Sequence, residues 1–278
     1  FAGGHNQLYE SCKNDYFLII NQDLYLNGDC IEKMVKFMDE HLDVAALAPR
    51  TMKWDFVADL IDTDNTDGLQ QSFTDKIDSL GLEVLRNRRV VELHTGESWS
   101  TCKLAHLQTC VQDVFGVSGA IVLFRKKAID EIGFLDESFQ SYKEDVDLAF
   151  RLNSAGWESI VLYDAVAYHD RSAAGPKDLK DSAAFQNKKK QSEWVKYHSY
   201  KNHLMTIYKN EYWQNFLLDF PWILWYELKK LVYYVLFDRK VLMGLVEVWR
   251  LRKDLKIKRL KIKRLRKIGW REVRQILK

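Results

Sequence analysis

The stretch from Asp15 to Arg50 narrows the fold more than any other part of the chain. "DYFLIINQD" is an apolar run ending in polar residues, the pattern of a strand buried on both faces over Tyr16–Asn21. In "GDCIEKMVKFMDEH" the residues Ile31, Met34, Val35 and Met38 recur at helical spacing. "VAALAPR" then predicts a second short strand, stopped by Pro49. Strand, helix and strand in so short a span make a βαβ unit, which implies an α/β domain with a mostly parallel sheet flanked by helices.

The pattern continues beyond an irregular excursion over residues 52–113, rich in Asp, Thr and Gly and expected to hold short strands. "VSGAIVLFRKKAIDEIG" predicts a strand and a helix ending at Gly133. An acidic segment, "SYKEDVDLAFRL", opens a further helix that Gly156 closes, and "SIVLYDAVAYH" is the next strand. Residues 171–192 are polar and loop-like. From residue 191 to 278 the chain turns to aromatic and basic helices, a second region appended to the domain of residues 1–190.

Charge separates the same two parts. Residues 250–278 carry fourteen Lys or Arg against two acids, Asp254 and Glu272, whereas the rest of the chain is net acidic. The run Phe216–Phe237 is largely apolar, but Asp219, Glu227, Lys229 and Lys230 interrupt it and Pro221 lies inside it. A spanning helix wants about twenty mostly uncharged residues, so an interfacial helix is the expectation, with Trp213, Trp222, Trp225 and Trp249 suited to a membrane–water boundary. The alternative is a helical subdomain covering the sheet. "LKIKRLKIKRLRKIGW" supplies charge for anionic lipid heads. Such a run also suits nucleic acid, but no recognised nucleic-acid fold accompanies it.

Four cysteines, Cys12, Cys30, Cys102 and Cys110, form no C-x-x-C pair, which fits a reducing, cytoplasmic compartment. Cys102, His106 and Cys110 fall at i, i+4, i+8 and could align on one helical face as zinc ligands with His94 nearby; coincidence is the better reading, since no fourth ligand is evident.

Asn21-Gln22-Asp23 follows the first strand at its carboxyl end, where open α/β sheets bind ligands, and a carboxylate there can hold a divalent cation. Asn and Asp are also ordinary turn residues. Gly3 and Gly4 would let backbone approach a ligand closely, or simply make a turn. Glu144, Asp145 and Asp147 crowd a helix start, where they can cap the helix. Their mutual repulsion also raises the pKa of at least one of them toward useful basicity. His169 ends the last strand, placed for metal or phosphate contact; a lone His is otherwise structural.

In this order, "FAGGHN", "NQD", "VSGAIVLFRKKAIDEIGFLDESF", "KEDVDLAFRLNSAGW" and "VAYH" resemble the family 2 glycosyltransferases, and among them the bacterial rhamnosyltransferase-like enzymes of cell-surface polysaccharide synthesis. The resemblance covers about residues 1–240, including "YKNHLMTIYKN" and the aromatic helices after it. It implies a GT-A fold and inverting transfer of a hexose, rhamnose among the candidates, from a nucleotide-diphosphate sugar to a polysaccharide or lipid-linked acceptor. By the same resemblance Asp23 would bind Mg²⁺ or Mn²⁺, with Asn21 beside it. Asp145 would be the general base and Glu144 would orient the acceptor or the base. Gly3, Gly4 and Asn6 would lie near the donor, and His169 near its diphosphate or metal. His5 stands where that stretch of the family carries Asn. The family's nucleoside-gripping strands would precede Phe1, so further sequence upstream is expected.

The resulting expectation is a metal-dependent glycosyltransferase working peripherally on the cytoplasmic face of the cell membrane. The competing reading is a catalytically degenerate, membrane-associated module that binds a glycan or a partner.

Overall fold

Alternation along three strands explains how one sheet can be covered on both sides. In the computed structural model, which describes residues 1–56, 66–106, 109–170 and 181–278, Leu47, Leu123, Ile160 and Leu162 face one helix through Met34 and Met38. Their neighbours Ala46, Ala48, Val122, Phe124 and Val161 face the other side, against Ile129, Ile132, Leu148 and Leu152. Period-two side chains buried on both faces read in sequence as continuous apolar runs.

The elements follow in the order α1 (Ala2–Glu10), β1 (Tyr16–Ile20), β2 (Leu24–Leu26), α2 (Cys30–Glu40) and β3 (Val44–Trp54). The excursion holds α3 (Thr66–Ser72), β4 (Phe73–Ser79), β5 (Leu82–Val84), β6 (Val90–Glu92) and β7 (Val111–Val114). Then come β8 (Ile121–Arg125), α4 (Lys126–Ile132), α5 (Glu144–Ser154) and β9 (Glu158–His169). The C-terminal helices are α6 (Asp181–Lys190), α7 (Glu193–Asn210), α8 (Trp213–Phe237), α9 (Met243–Arg250), α10 (Arg252–Leu265) and α11 (Trp270–Ile276). Of the expected loop over residues 171–192, residues 171–180 lie outside the described part, and residues 181–190 form α6.

The α/β class with helices on both faces is as expected. The sheet is mixed rather than mostly parallel: its order is β1-β8-β3-β9-β2, with β4 added beside β3 and β7 beside β9. β3 and β9 pair in parallel. β8 is antiparallel to both β1 and β3, so the β1-α2-β3 crossover joins strands of like direction across an intervening strand. The βαβ pattern is thus present, but β8, 67 residues later than β3's end, fills the gap it leaves. Arg125 at the end of β8 turns inward and donates to the carbonyls of Met38 (2.7 Å) and His41 (2.9 Å), acceptors left at the C-terminus of α2, and to that of Val44 (2.8 Å) at the start of β3.

Helix ends fall where glycine permits them. Gly133 and Gly156 have φ of 80° and 78°, left-handed values that cost other residues energy, and they terminate α4 and α5.

The C-terminal helices are joined to the sheet domain by buried ion pairs. Lys209 on α7 binds Asp136 (2.5 Å) and Asp147 (2.9 Å). Arg88, fully buried in the β5–β6 hairpin, binds Glu211 (2.5 Å) and Asp219 (3.0 Å). The chain end adds to that hairpin, where Lys278 N–H donates to Val84 O and Arg86 N–H to Lys278 O. Buried charges of this kind are tolerated only when paired.

Candidate active site

Two walls of the site meet at the segment Ser118-Gly119-Ala120, which enters β8. On one side, Ala120 O accepts from Asn21 N–H (2.8 Å), anchoring the turn after β1. That turn carries Asp23, whose carboxylate is part-exposed and lies 3.3 Å from His169 Nε2 at the end of β9. The other imidazole nitrogen, Nδ1, is 2.9 Å from Asp78 Oδ2, at the end of β4 and almost fully buried. Backbone reinforces the pairing: Asp170 N–H donates to Asp23 O (3.0 Å), and Leu24 stands opposite His169 in the β2–β9 ladder. Asp78 comes from the irregular excursion and no motif marks it; it fixes the ring so that Nε2 turns toward Asp23.

On the other side is the N-terminus of α5. Asp145 Oδ1 accepts from Val146 N–H (2.8 Å) and Oδ2 from Gly119 N–H (3.4 Å). Asp145, Glu144, Gly119 and Phe1 line one cleft, walled below by apolar residues such as Leu148 and Val122. Glu144 is 5% exposed, and its Oε1 has no hydrogen-bond partner among the described residues. Burial, joined by the like charges of Asp145 and Asp147, pushes its carboxyl up to about 7. The crowding of acids therefore acts on Glu144, and mainly through desolvation rather than repulsion. Asp147 is structural. Fully buried, it accepts from Asn210 (2.7 Å) and pairs with Arg151 (3.0 Å) and Lys209. Burial alone would raise its pKa, but these cations outweigh it and hold it below the usual range.

The approach to α5 is strained. Gln140, Tyr142 and Lys143 all have φ between 63° and 73°, a region that each non-glycine residue enters at a cost of about 1–3 kcal/mol. Asn202 of α7, fully buried, offsets this by donating its amide to the carbonyls of Phe139 (3.0 Å), Ser141 (2.8 Å) and Tyr142 (2.7 Å). Neither Asn202 nor Lys143 was marked by sequence, because their task depends on a loop geometry no local pattern encodes.

The amino-terminal residues sit differently from Asp145. Gly3, Gly4 and Asn6 all lie in α1. Asn6 spends its amide on Leu135 O (2.9 Å), Glu137 Oε1 (3.0 Å) and Leu135 N–H (3.1 Å), so it fastens α1 to the segment before the acidic motif. A Cβ on Gly3 would reach the Glu137 carboxylate at 3.8 Å, and one on Gly4 would meet nothing within 4 Å. The cysteine spacing does not become a helical face: residues 103–106 are one 3-10 turn, and Cys110 lies beside β7 with its carbonyl bonded to Tyr163 N–H. Cys102 instead gathers with His94 and Glu97, their donor atoms within 4.8 Å of one another.

With this geometry in place, a family profile described as "Glycosyl transferase family group 2" matches residues 16–193, from β1 through the start of α7. The chain belongs to that family. An N-acetylglucosaminyl-diphospho-decaprenol L-rhamnosyltransferase of Mycobacterium tuberculosis is 32% identical over 91 residues, a match that takes in 32% of this chain and 30% of that enzyme. The same enzyme name and figures recur for a second strain of that organism. Among solved structures, GalNAc-T7 with UDP, GalNAc and Mn²⁺ overlaps 75% of this chain and 34% of its own at 8% identity, TM-score 0.48. The mannosyltransferase PcManGT from Pyrobaculum calidifontis, in complex with GDP-Man and Mn²⁺, overlaps 95% of this chain and 65% of its own at 12% identity, TM-score 0.40.

A divalent cation fits the first wall. One carboxylate and one imidazole nitrogen, 3.3 Å apart at the carboxyl edge of the sheet, are oxygen and nitrogen donors at the separation of neighbouring ligands around an ion such as Mn²⁺.

Proposed function

We propose that this glycosyltransferase is an inverting, metal-dependent enzyme that moves a sugar, rhamnose being the favoured candidate, from a nucleotide-diphosphate donor to a lipid-linked acceptor. The observation that carries the reading is the placement of Asp145, its carboxylate held by two backbone N–H groups at the rim of a cleft, one segment away from the Asp23–His169 pair.

Asp145 takes the proton from an acceptor hydroxyl as that oxygen bonds to the anomeric carbon and the bond from that carbon to the diphosphate oxygen breaks. The two N–H donors fix the carboxylate's direction without removing its remaining lone pairs. Glu144, its carboxyl raised to about 7 by burial and with no partner for Oε1 among the described residues, suits a hydrogen bond to the acceptor. Asp23 and His169 would hold Mg²⁺ or Mn²⁺, which when bound neutralises charge on the departing diphosphate. Asn21 fixes the Asp23 turn through its backbone, while Gly3, Gly4 and Asn6 act through the placement of α1 and Phe1 at the cleft.

The acceptor reading draws on the mycobacterial relative, whose name specifies a diphospho-decaprenol carrier. It also draws on the surface. Among the described residues no helix is long and apolar enough to cross a membrane. One side of α8 nevertheless exposes Leu217, Trp222, Trp225, Leu228 and Leu236, and α9 exposes Trp249. Large exposed apolar patches mark interaction surfaces. With exposed Lys256, Lys263 and Arg264 on α10, we assign this face to the anionic inner surface of the cell membrane.

The test is the stereochemistry of transfer. Full-length protein supplied with dTDP-rhamnose, Mn²⁺ and a polyprenyl-diphosphate sugar should give a product whose anomeric configuration is opposite to the donor's, and a chelator should abolish it. Retained configuration, or turnover undiminished by the chelator, would overturn the reading.

A further inference from the structure

The structure also assigns a place for the acceptor's phosphate groups. We infer that Lys143, Lys188 and Lys230 form an anion subsite beside Asp145 that receives a phosphate or diphosphate carried by the acceptor; this rests on the transferase reading above.

These three lysines come from different elements and converge. Lys188 on α6 and Lys230 on α8 lie on the Tyr200–Tyr234 pair, whose rings are 5.0 Å apart: Lys188 Nζ is 5.0 Å from the Tyr234 ring and Lys230 Nζ 5.1 Å from that of Tyr200. Lys143 immediately precedes the two cleft acids, and α7 links it to Lys230: Asn202 holds the Tyr142 carbonyl that leads into Lys143 (2.7 Å), and the next residue, His203, shares Glu227 with Lys230. Among the described residues neither Lys143 nor Lys188 has a carboxylate within ion-pair distance. Lys230 has one, Glu227 at 2.8 Å, which it shares with His203. Asp145 and Glu92 favour the Lys143 cation at longer range and Arg89 opposes it, while Lys188 and Lys230 have to share the field of the single carboxylate of Glu227 with His203. Burial pushes the Lys188 and Lys230 ammoniums down to about 8, and Lys143 below its usual range, so the protein holds these cations at a cost that an anion would offset.

This charge has no structural use comparable to that of Lys209 or Arg88, which are fully paired. Nor does any of the three pair with Asp23, which faces His169. Its position suits an acceptor whose sugar hydroxyl reaches Asp145 while its phosphate stays on α8's inner side. The opposite side of α8 is the exposed apolar face, so a lipid tail would leave the subsite directly toward it.

Calorimetric titration of the full-length protein in EDTA separates the possibilities, using farnesyl diphosphate, inorganic pyrophosphate and farnesol. Both diphosphates should bind and farnesol should not. Lys143→Asn combined with Lys188→Gln should weaken both diphosphates at least tenfold with an unchanged melting temperature; Asn is chosen because it tolerates the left-handed backbone at 143. Tighter binding of farnesyl diphosphate than of pyrophosphate supports a lipid-borne group, and equal binding supports the same subsite serving a soluble one. Parental affinity in the double variant, or no metal-free diphosphate binding by the parent, overturns the subsite. Binding of dTDP-rhamnose with Mn²⁺, measured in parallel, should survive the double substitution; its absence in the parent would count against the transferase reading instead.

Discussion

Glu144 and Asp145 are neighbours with opposite surroundings. Asp145 meets two N–H donors at a rim; Glu144 is buried with an oxygen that no described residue satisfies. A carboxyl raised from 4.5 to about 7 by burial keeps its proton longer in the folded state than in the unfolded chain. The folded state then binds more protons between those values, so the contribution of this carboxyl to stability is fully present below about pH 4.5 and falls by about 3 kcal/mol as pH rises to about 7. Glu144→Gln should flatten that slope in denaturant titrations between pH 4.5 and 7.5; an unchanged slope would assign the titration to another group. The pair was legible from sequence because the order of short motifs located it. Asp78, which orients His169, was not: it emerges from residues 52–113, and only the β4–β3 pairing brings it to the end of β9.

At the scale of elements, the strained turn before α5 depends on a single side chain from another helix. Removing Asn202's amide takes a donor from the Ser141 and Tyr142 carbonyls, while Phe139 O keeps Ser141 N–H (2.8 Å), and it leaves three positive-φ residues without that support. Asn202→Leu should lower stability by about 1–3 kcal/mol, and should reduce kcat at least tenfold at saturating donor and acceptor because Asp145 loses its placement. A variant equally destabilised but with parental kcat would remove Asn202 from the positioning of the base. Elements with strong local patterns, β1, α2, β8, α5 and β9, follow from sequence because apolar spacing and terminal glycines specify them. The direction of β8 between β1 and β3 does not, since strand order is decided by which edges remain to be filled. The cysteine spacing illustrates the reverse case, a helical periodicity of which the described residues form one 3-10 turn, Lys103–His106.

Across the whole molecule, the acidic body and basic tail are one unit. Lys258, which pairs with Asp136 at 2.7 Å, and Arg274, which pairs with Asp219 at 3.0 Å, tie the two together, and the final residues complete the β5–β6 hairpin. Sequence showed the charge asymmetry but not that part of it is spent internally; what remains exposed, with the apolar side of α8 and α9, is the proposed membrane face. Full-length protein should therefore sediment with vesicles containing phosphatidylglycerol and less with phosphatidylcholine alone, and Trp222→Ser with Trp225→Ser should weaken that binding several-fold. Equal recovery in the supernatant with and without anionic vesicles would remove the membrane from the account. The central claim is that Asp145 is the base that activates the acceptor. Its most direct test is the sugar-transfer rate of Asp145→Asn in the full-length protein, with donor binding measured alongside. A fall of about 10²–10⁴-fold in kcat with donor affinity preserved is the predicted result, and near-parental turnover would contradict it.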